Sequence, residues 1–94
     1  MVGKSFFDEP QHIYTTRSRS VRILGQTTSI RLENKYWEIL DEISEKERLS
    51  RGELISFIYA KALDEGMEFI NFTSLLRIIC VIYIENKDKI DIKT

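Results

Sequence analysis

One cysteine, one histidine, one proline and no long apolar run limit what this chain of 94 residues can be. A lone cysteine excludes an internal disulfide, so the fold must hold by packing, as suits a reducing compartment. One Cys and one His, Cys80 and His12, cannot assemble a zinc site, and no glycine-rich phosphate loop is present. No metal and no cofactor are expected. His12 falls in an irregular opening stretch, and Cys80 lies in the run Leu75–Ile82 with no nearby base, where it reads as a small packed hydrophobe. No catalytic pair is visible, and an enzyme is not expected. The longest apolar stretch, Ile78 to Ile84, is bounded by Arg77 and Glu85 and falls far short of the about 20 residues needed to span a bilayer. The first twenty residues lack the apolar core of a secretory signal, so a cytoplasmic protein without a membrane partner is expected.

What is present is the composition of one small domain with a limited core: 43% hydrophobic and 31% charged residues, with four glycines. The net charge of −1 hides an asymmetry. Thr15 to Leu32 holds four arginines and no acid, giving +4, whereas Glu33 to Thr94 holds nine basic and thirteen acidic residues, giving −4. Positive charge concentrated in one stretch indicates where a polyanion could dock, although a solvated arm reads the same way.

Residues 1–17 read as a flexible arm, 18–86 as the folded domain and 87–94 as a charged tail containing Ile90 and Ile92. Ser18 to Leu24 alternates weakly, with Val21 and Ile23 on one side, and Gly25 marks a bend or bulge. Thr27 to Leu32 is a short strand with Thr28, Ile30 and Leu32 on one face and Thr27, Ser29 and Arg31 on the other. Asn34 to Arg48 has the apolar spacing of a helix through Trp37, Leu40 and Ile43. Ser50-Arg51-Gly52-Glu53 has the form of a capping box opening a second helix, and Gly66 suits its left-handed stop. A third helix runs from Asn71 or Thr73 to about Asn86 and is apolar around most of its circumference, which points to burial in a subunit interface.

A solitary strand leaves backbone N–H and C=O groups unpaired along both edges. Antiparallel pairing with the same strand of a second copy removes that problem, and the same dimer would cover the third helix. Ile30, Leu32, Trp37, Leu40, Leu54 and Ile58 would form its core. Thr27, Ser29 and Arg31 would then face outward, and a two-stranded ribbon fits the major groove of B-DNA, where Arg31 could hold guanine O6 and N7 and the hydroxyls could meet other base edges. The alternative for Arg31 is an ion pair with Glu33 or a cross-strand acid. Arg17, Arg19 and Arg22 would reach flanking DNA as an arm, or simply remain solvated. The amides at the Ser50 helix N-terminus suit a phosphate oxygen, with Arg51 beside them.

The stretch "TTSIRLENKYWEILDEISEKERLSRGELISFIY" resembles the ribbon-helix-helix superfamily of dimeric DNA-binding proteins, in its S-x-R-L strand, its amphipathic helix and its "LSRGELI" entry to the second helix. The longer frame, from "RSVRILGQ" to a distal "NFTSLLRIICVIYI", is similar to a bacterial subgroup with an additional C-terminal helix. Glu33 stands where the superfamily commonly has proline. The resemblance implies a mainly α fold with one short β-strand: an intertwined homodimer, alone or as a dimer of dimers, with an intermolecular two-stranded ribbon and a third helix. It implies base reading by Thr27, Ser29 and Arg31 and phosphate anchoring by Ser50, Arg51 and Gly52. The function expected is that of a transcriptional repressor or autoregulator binding double-stranded DNA. The alternative is a protein-interaction module, such as an antitoxin that holds a protein partner through the third helix and tail.

Overall fold

A computed structural model describes residues 10–67 and 72–87. The expected cap at Asn71, most of the arm and of the 67–70 linker, and the tail with Ile90 and Ile92 lie outside the described residues. A 3-10 turn, Gln11–Ile13, leads into strand β1 (Thr16–Ile23), strand β2 (Gln26–Glu33) and three helices: α1 (Asn34–Glu47), α2 (Arg51–Asp64) and α3 (Phe72–Asn86).

The ribbon departs from the sequence expectation of one short strand. β1 and β2 pair antiparallel within the same chain, with Ile23 opposite Gln26 and Thr16 opposite Glu33. Leu24 and Gly25 alone connect them, both with positive φ (49° and 84°). Positive φ at both central residues matches the right-handed twist of a tight hairpin. Leucine is a poor residue for that backbone, so the turn lacks an Asn-Gly or Asp-Gly signature and its sequence reads as a mere bend. The strand also starts at Thr16, inside the stretch expected to be an arm. Asn34 fastens that stretch, since its side-chain amide donates to the His12 carbonyl (2.8 Å) and to Thr15 Oγ1 (2.9 Å).

Residues opposite one another in an antiparallel pair share a face. On the inner face Val21, Ile23, Ile30 and Leu32 are buried against the helices. α1 contributes Trp37, Leu40 and Ile43 to the same core, α2 contributes Leu54, Ile55 and Ile58, and α3 contributes Leu76 and Cys80. The six residues expected to close a dimer are therefore already covered inside one chain, Leu32 and Leu40 completely and Trp37 to 1% exposure. The physical reason is β1, which lies over α2 and supplies the cover that a second copy was expected to bring. Two polar bonds fix it there: Trp37 Nε1 donates to the Arg17 carbonyl (2.9 Å) and Ser56 Oγ to the Arg22 carbonyl (2.9 Å).

The α1–α2 corner is tight. Arg48 ends α1 in the left-handed region (φ 60°) while its N–H and that of Leu49 return to Glu45 and Ser44. Ser50 Oγ accepts from the Glu53 N–H (3.0 Å) and Glu53 Oε1 accepts from the Ser50 N–H (2.8 Å), the reciprocal capping box expected from the sequence. Gly66 follows α2 with φ 74°. α3 buries Leu76, Cys80 and Tyr83, and its opposite side leaves Ile78, Val81, Ile82 and Ile84 exposed.

Candidate nucleic-acid interface

The outer face of the hairpin follows from its register. Ser18 lies opposite Arg31, Ser20 opposite Ser29 and Arg22 opposite Thr27. All six are exposed. Thr27, Ser29 and Arg31 thus share one surface, joined by Ser18, Ser20 and Arg22. The two serines are absent from the sequence-based site, though the period-two pattern of Ser18-Arg19-Ser20-Val21-Arg22-Ile23 carries the signal: the even positions are polar, and the odd ones end in buried Val21 and Ile23.

Two guanidiniums stand on this face, and among the described residues neither Arg22 nor Arg31 has an ion-pair partner. Glu33, the nearest acid in sequence to Arg31, is engaged elsewhere. Its carboxylate accepts from Arg77 Nε (3.0 Å) and Nη2 (3.3 Å). Those hydrogen bonds hold its carboxyl below the usual carboxylate range.

Arg22 belongs to the ribbon face, not to an arm, and Arg17 and Arg19 are on the other side. Arg19 lies over Trp37, its Cζ 5.5 Å from the ring centroid, a cation–π distance. Burial first, and then the like charges of Arg51 and Arg17, push its pKa below the ordinary value. Strand parity explains the division. Residues 17 and 19 share the parity of Val21 and Ile23, and at position 19 a guanidinium over the Trp37 indole stands in place of an aliphatic side chain.

At the α2 N-terminus the expected phosphate contacts separate. Ser50 and Gly52 line an open cleft of about 700 Å³ together with Arg22, Leu24 and Gly25, so the helix start and the hairpin tip meet. The capping box uses the Ser50 and Glu53 amides, which leaves the first-turn amides of Arg51 and Gly52 at the helix's positive end. The Arg51 side chain is engaged within the fold. Its Nε and Nη2 donate to Asp41 Oδ1 (2.9 Å) and Oδ2 (2.8 Å), and its Cζ lies 5.6 Å from the Trp37 centroid. A planar fork held on a carboxylate and an indole is committed to joining α2 to α1. Only folding brings Asp41 across the corner, so in the sequence Arg51 looks free. His12 is similarly engaged, with Nε2 3.1 Å from Glu38 Oε2.

Among the described residues no group of three or more His, Cys, Asp or Glu side chains is arranged to hold a metal ion, and no helix is long and apolar enough to cross a membrane.

A two-stranded antiparallel ribbon followed by helices joined at a tight corner is the ribbon-helix-helix arrangement. The model of a ribbon-helix-helix domain family matches residues 16–84, and the chain belongs to that family. Such domains are typically non-enzymatic DNA-binding regulators or antitoxins that dimerise. Among solved structures the chain is similar to an uncharacterized protein from Bordetella pertussis Tohama I, at 32% identity and a TM-score of 0.81, with 92% of this chain and 69% of that chain covered. No curated protein matches.

Proposed function

We propose that this protein is a sequence-specific DNA-binding regulator, a homodimeric repressor or autoregulator of the bacterial cytoplasm, that reads the major groove with the outer face of its ribbon. The observation that carries this reading is the co-exposure of Thr27, Ser29 and Arg31 on one face of the ribbon, with Arg22 across from Thr27 and the Glu33 carboxylate held by Arg77. A ribbon two strands wide fits a groove about 12 Å across. Arginine can hold guanine O6 and N7 with two hydrogen bonds, and threonine and serine hydroxyls accept or donate to neighbouring base edges. The amides of Arg51 and Gly52 and the α2 dipole suit a flanking phosphate, which fixes register without reading sequence.

Dimerisation is supported by the apolar surface that one chain leaves open. Phe57 is 61% exposed beside a cleft of about 280 Å³ lined by Leu54, Ile58, Ala62, Leu75 and Ile79. A second copy covering that cleft would pair two ribbons on one operator. The second reading, an antitoxin-like module for a protein partner, is favoured by Ile78, Val81, Ile82 and Ile84, a further apolar stripe along α3.

Titration of a labelled genomic duplex pool with the purified protein across a salt series tests the first reading. Binding should weaken steeply with salt as phosphate contacts release counterions. A protein that retains no duplex even at low salt would leave the interaction module as the better account.

A further inference from the structure

We propose that the cavity between β1 and α1, walled by Arg17, Arg19, Trp37, Glu38 and Asp41, is a binding site for a small metabolite that carries a single carboxylate. The inference goes beyond the DNA-binding reading and does not depend on it. Arg17 and Arg19 have the opposite strand parity to Ser18, Ser20 and Arg22, so the cavity lies on the other side of β1 from the outer face.

The cavity has a volume of about 310 Å³. Small-molecule sites occupy about 300–1,000 Å³, so this one has room for a compact ligand. The Trp37 Nε1 bond to the Arg17 carbonyl (2.9 Å) ties its strand wall to its helix wall. Its two acids are engaged: Glu38 Oε2 lies 3.1 Å from His12 Nε2, and Asp41 accepts both hydrogen bonds of the Arg51 fork. The two strand arginines are not matched in that way. Among the described residues neither Arg17 nor Arg19 has an ion-pair partner, and Arg19 Nε is buried without a hydrogen-bond partner. A guanidinium partly withdrawn from water with a donor unsatisfied is costly, and an anion seated against it offsets that cost. Burial, and then the neighbouring charges of Arg51 and Arg17, already lower the Arg19 pKa, the mark of a cation short of counter-charge.

The local charge selects the anion. Arg17, Arg19 and Arg51 cluster about Trp37 with Glu38 and Asp41, three cations against two carboxylates with His12 neutral, so one negative charge completes the group. A phosphate monoester carries about −1.5 to −2 at neutral pH and would exceed that count beside two acids. A carboxylate brings one charge and two oxygens, the geometry that a planar arginine fork holds with two parallel hydrogen bonds. Arg17 and Arg19 are two residues apart on one strand, about 7 Å at a rise of about 3.4 Å per residue. Arg19, held over the indole, and the exposed Arg17 can therefore meet one carboxylate from two sides.

The test uses Trp37, the sole tryptophan, as its reporter. The full chain is titrated with sodium propionate, sodium pyruvate and sodium phosphate, each against sodium chloride at matched ionic strength, with Trp37 emission and the thermal midpoint as readouts. A carboxylate should change the emission along a saturable curve, with half-saturation on the order of 1 mM or below, and raise the thermal midpoint over the same range. Arg19→Lys, which keeps the charge and removes the fork, and Arg17→Gln should each weaken binding roughly tenfold, with circular dichroism confirming each fold. Arg31→Ala, on the outer face, should leave it unchanged. Arg17 is exposed, so its substitution decides the matter even where Arg19→Lys fails to fold. A response to carboxylates no larger than that to chloride, or binding that survives Arg17→Gln undiminished, overturns the site. Tighter binding of phosphate than of either carboxylate overturns the assignment of the ligand class.

Discussion

Glu33, the last residue of β2, accepts two hydrogen bonds from Arg77 in α3, at 3.0 and 3.3 Å. The pair pins the third helix to the strand–helix junction and removes a bare carboxylate from the edge of the ribbon. Arg77 also lies 5.8 Å from the Tyr36 ring centroid. Both partners are about one-third exposed, 34% and 32%, so Arg77→Ala should cost only about 1 kcal/mol at neutral pH. The Glu33 carboxyl is held below its usual range chiefly by the Arg77 hydrogen bonds. A carboxyl lowered in the folded state contributes fully above its unfolded value of about 4.3, and that contribution is lost as pH falls through the lower folded-state value. Urea midpoints should therefore separate wild type from Arg77→Ala most at neutral pH, and the gap should close in acid below about pH 4.

Leu24 is 61% exposed and holds φ 49°. Its side chain gains little from packing while its backbone sits where Asn is several-fold favoured. Leu24→Asn should raise stability by about 0.5–1 kcal/mol, read as a higher thermal midpoint. A lower midpoint would mean that Leu24 packs against a neighbour in the assembled protein.

Phe57 projects from α2 into solvent beside an apolar cleft. In sedimentation velocity the wild-type protein should run as a dimer, and Phe57→Asp should shift it to monomer with unchanged helical content, since buried unpaired charge at an interface costs several kcal/mol. A wild-type monomer at micromolar concentration contradicts the proposed dimer.

Cys80 is fully buried, and burial pushes its thiol up to about 12. Without accessible thiolate, an aromatic disulfide reagent should label it only through opening of the fold. Labelling at native pH should be roughly a hundredfold slower than in denaturant, or slower still, and Leu76→Ala, which leaves a cavity one turn away, should accelerate it.

The helices are legible in the sequence because their signals are local. Trp37, Leu40 and Ile43 repeat at helical spacing, Ser50 and Glu53 cap each other within one turn, and Gly66 stops α2. The hairpin is half legible. Thr27 to Leu32 alternates plainly, but arginines at 17 and 19 hold inward positions in β1 where aliphatic residues normally mark a strand, and Leu24 disguises the turn. The dimer core expected from the sequence follows from that gap, since a strand without a visible partner in its own chain has to borrow one. In the candidate interface, Arg31 stands out by alternation, whereas the loss of Arg51 to Asp41 and of Glu33 to Arg77 involves partners 10 and 44 residues away. Ion pairs at such separations leave no mark in a linear pattern.

The most direct measurement of the central claim, that the outer ribbon face reads DNA, is recovery of genomic fragments by the purified wild-type protein and by Arg31→Ala in parallel at low salt. The wild type should enrich a shared motif that Arg31→Ala loses, with residual affinity in the variant that no longer distinguishes sequences. Equal enrichment of the same motif by both proteins, or none by either, would contradict the claim.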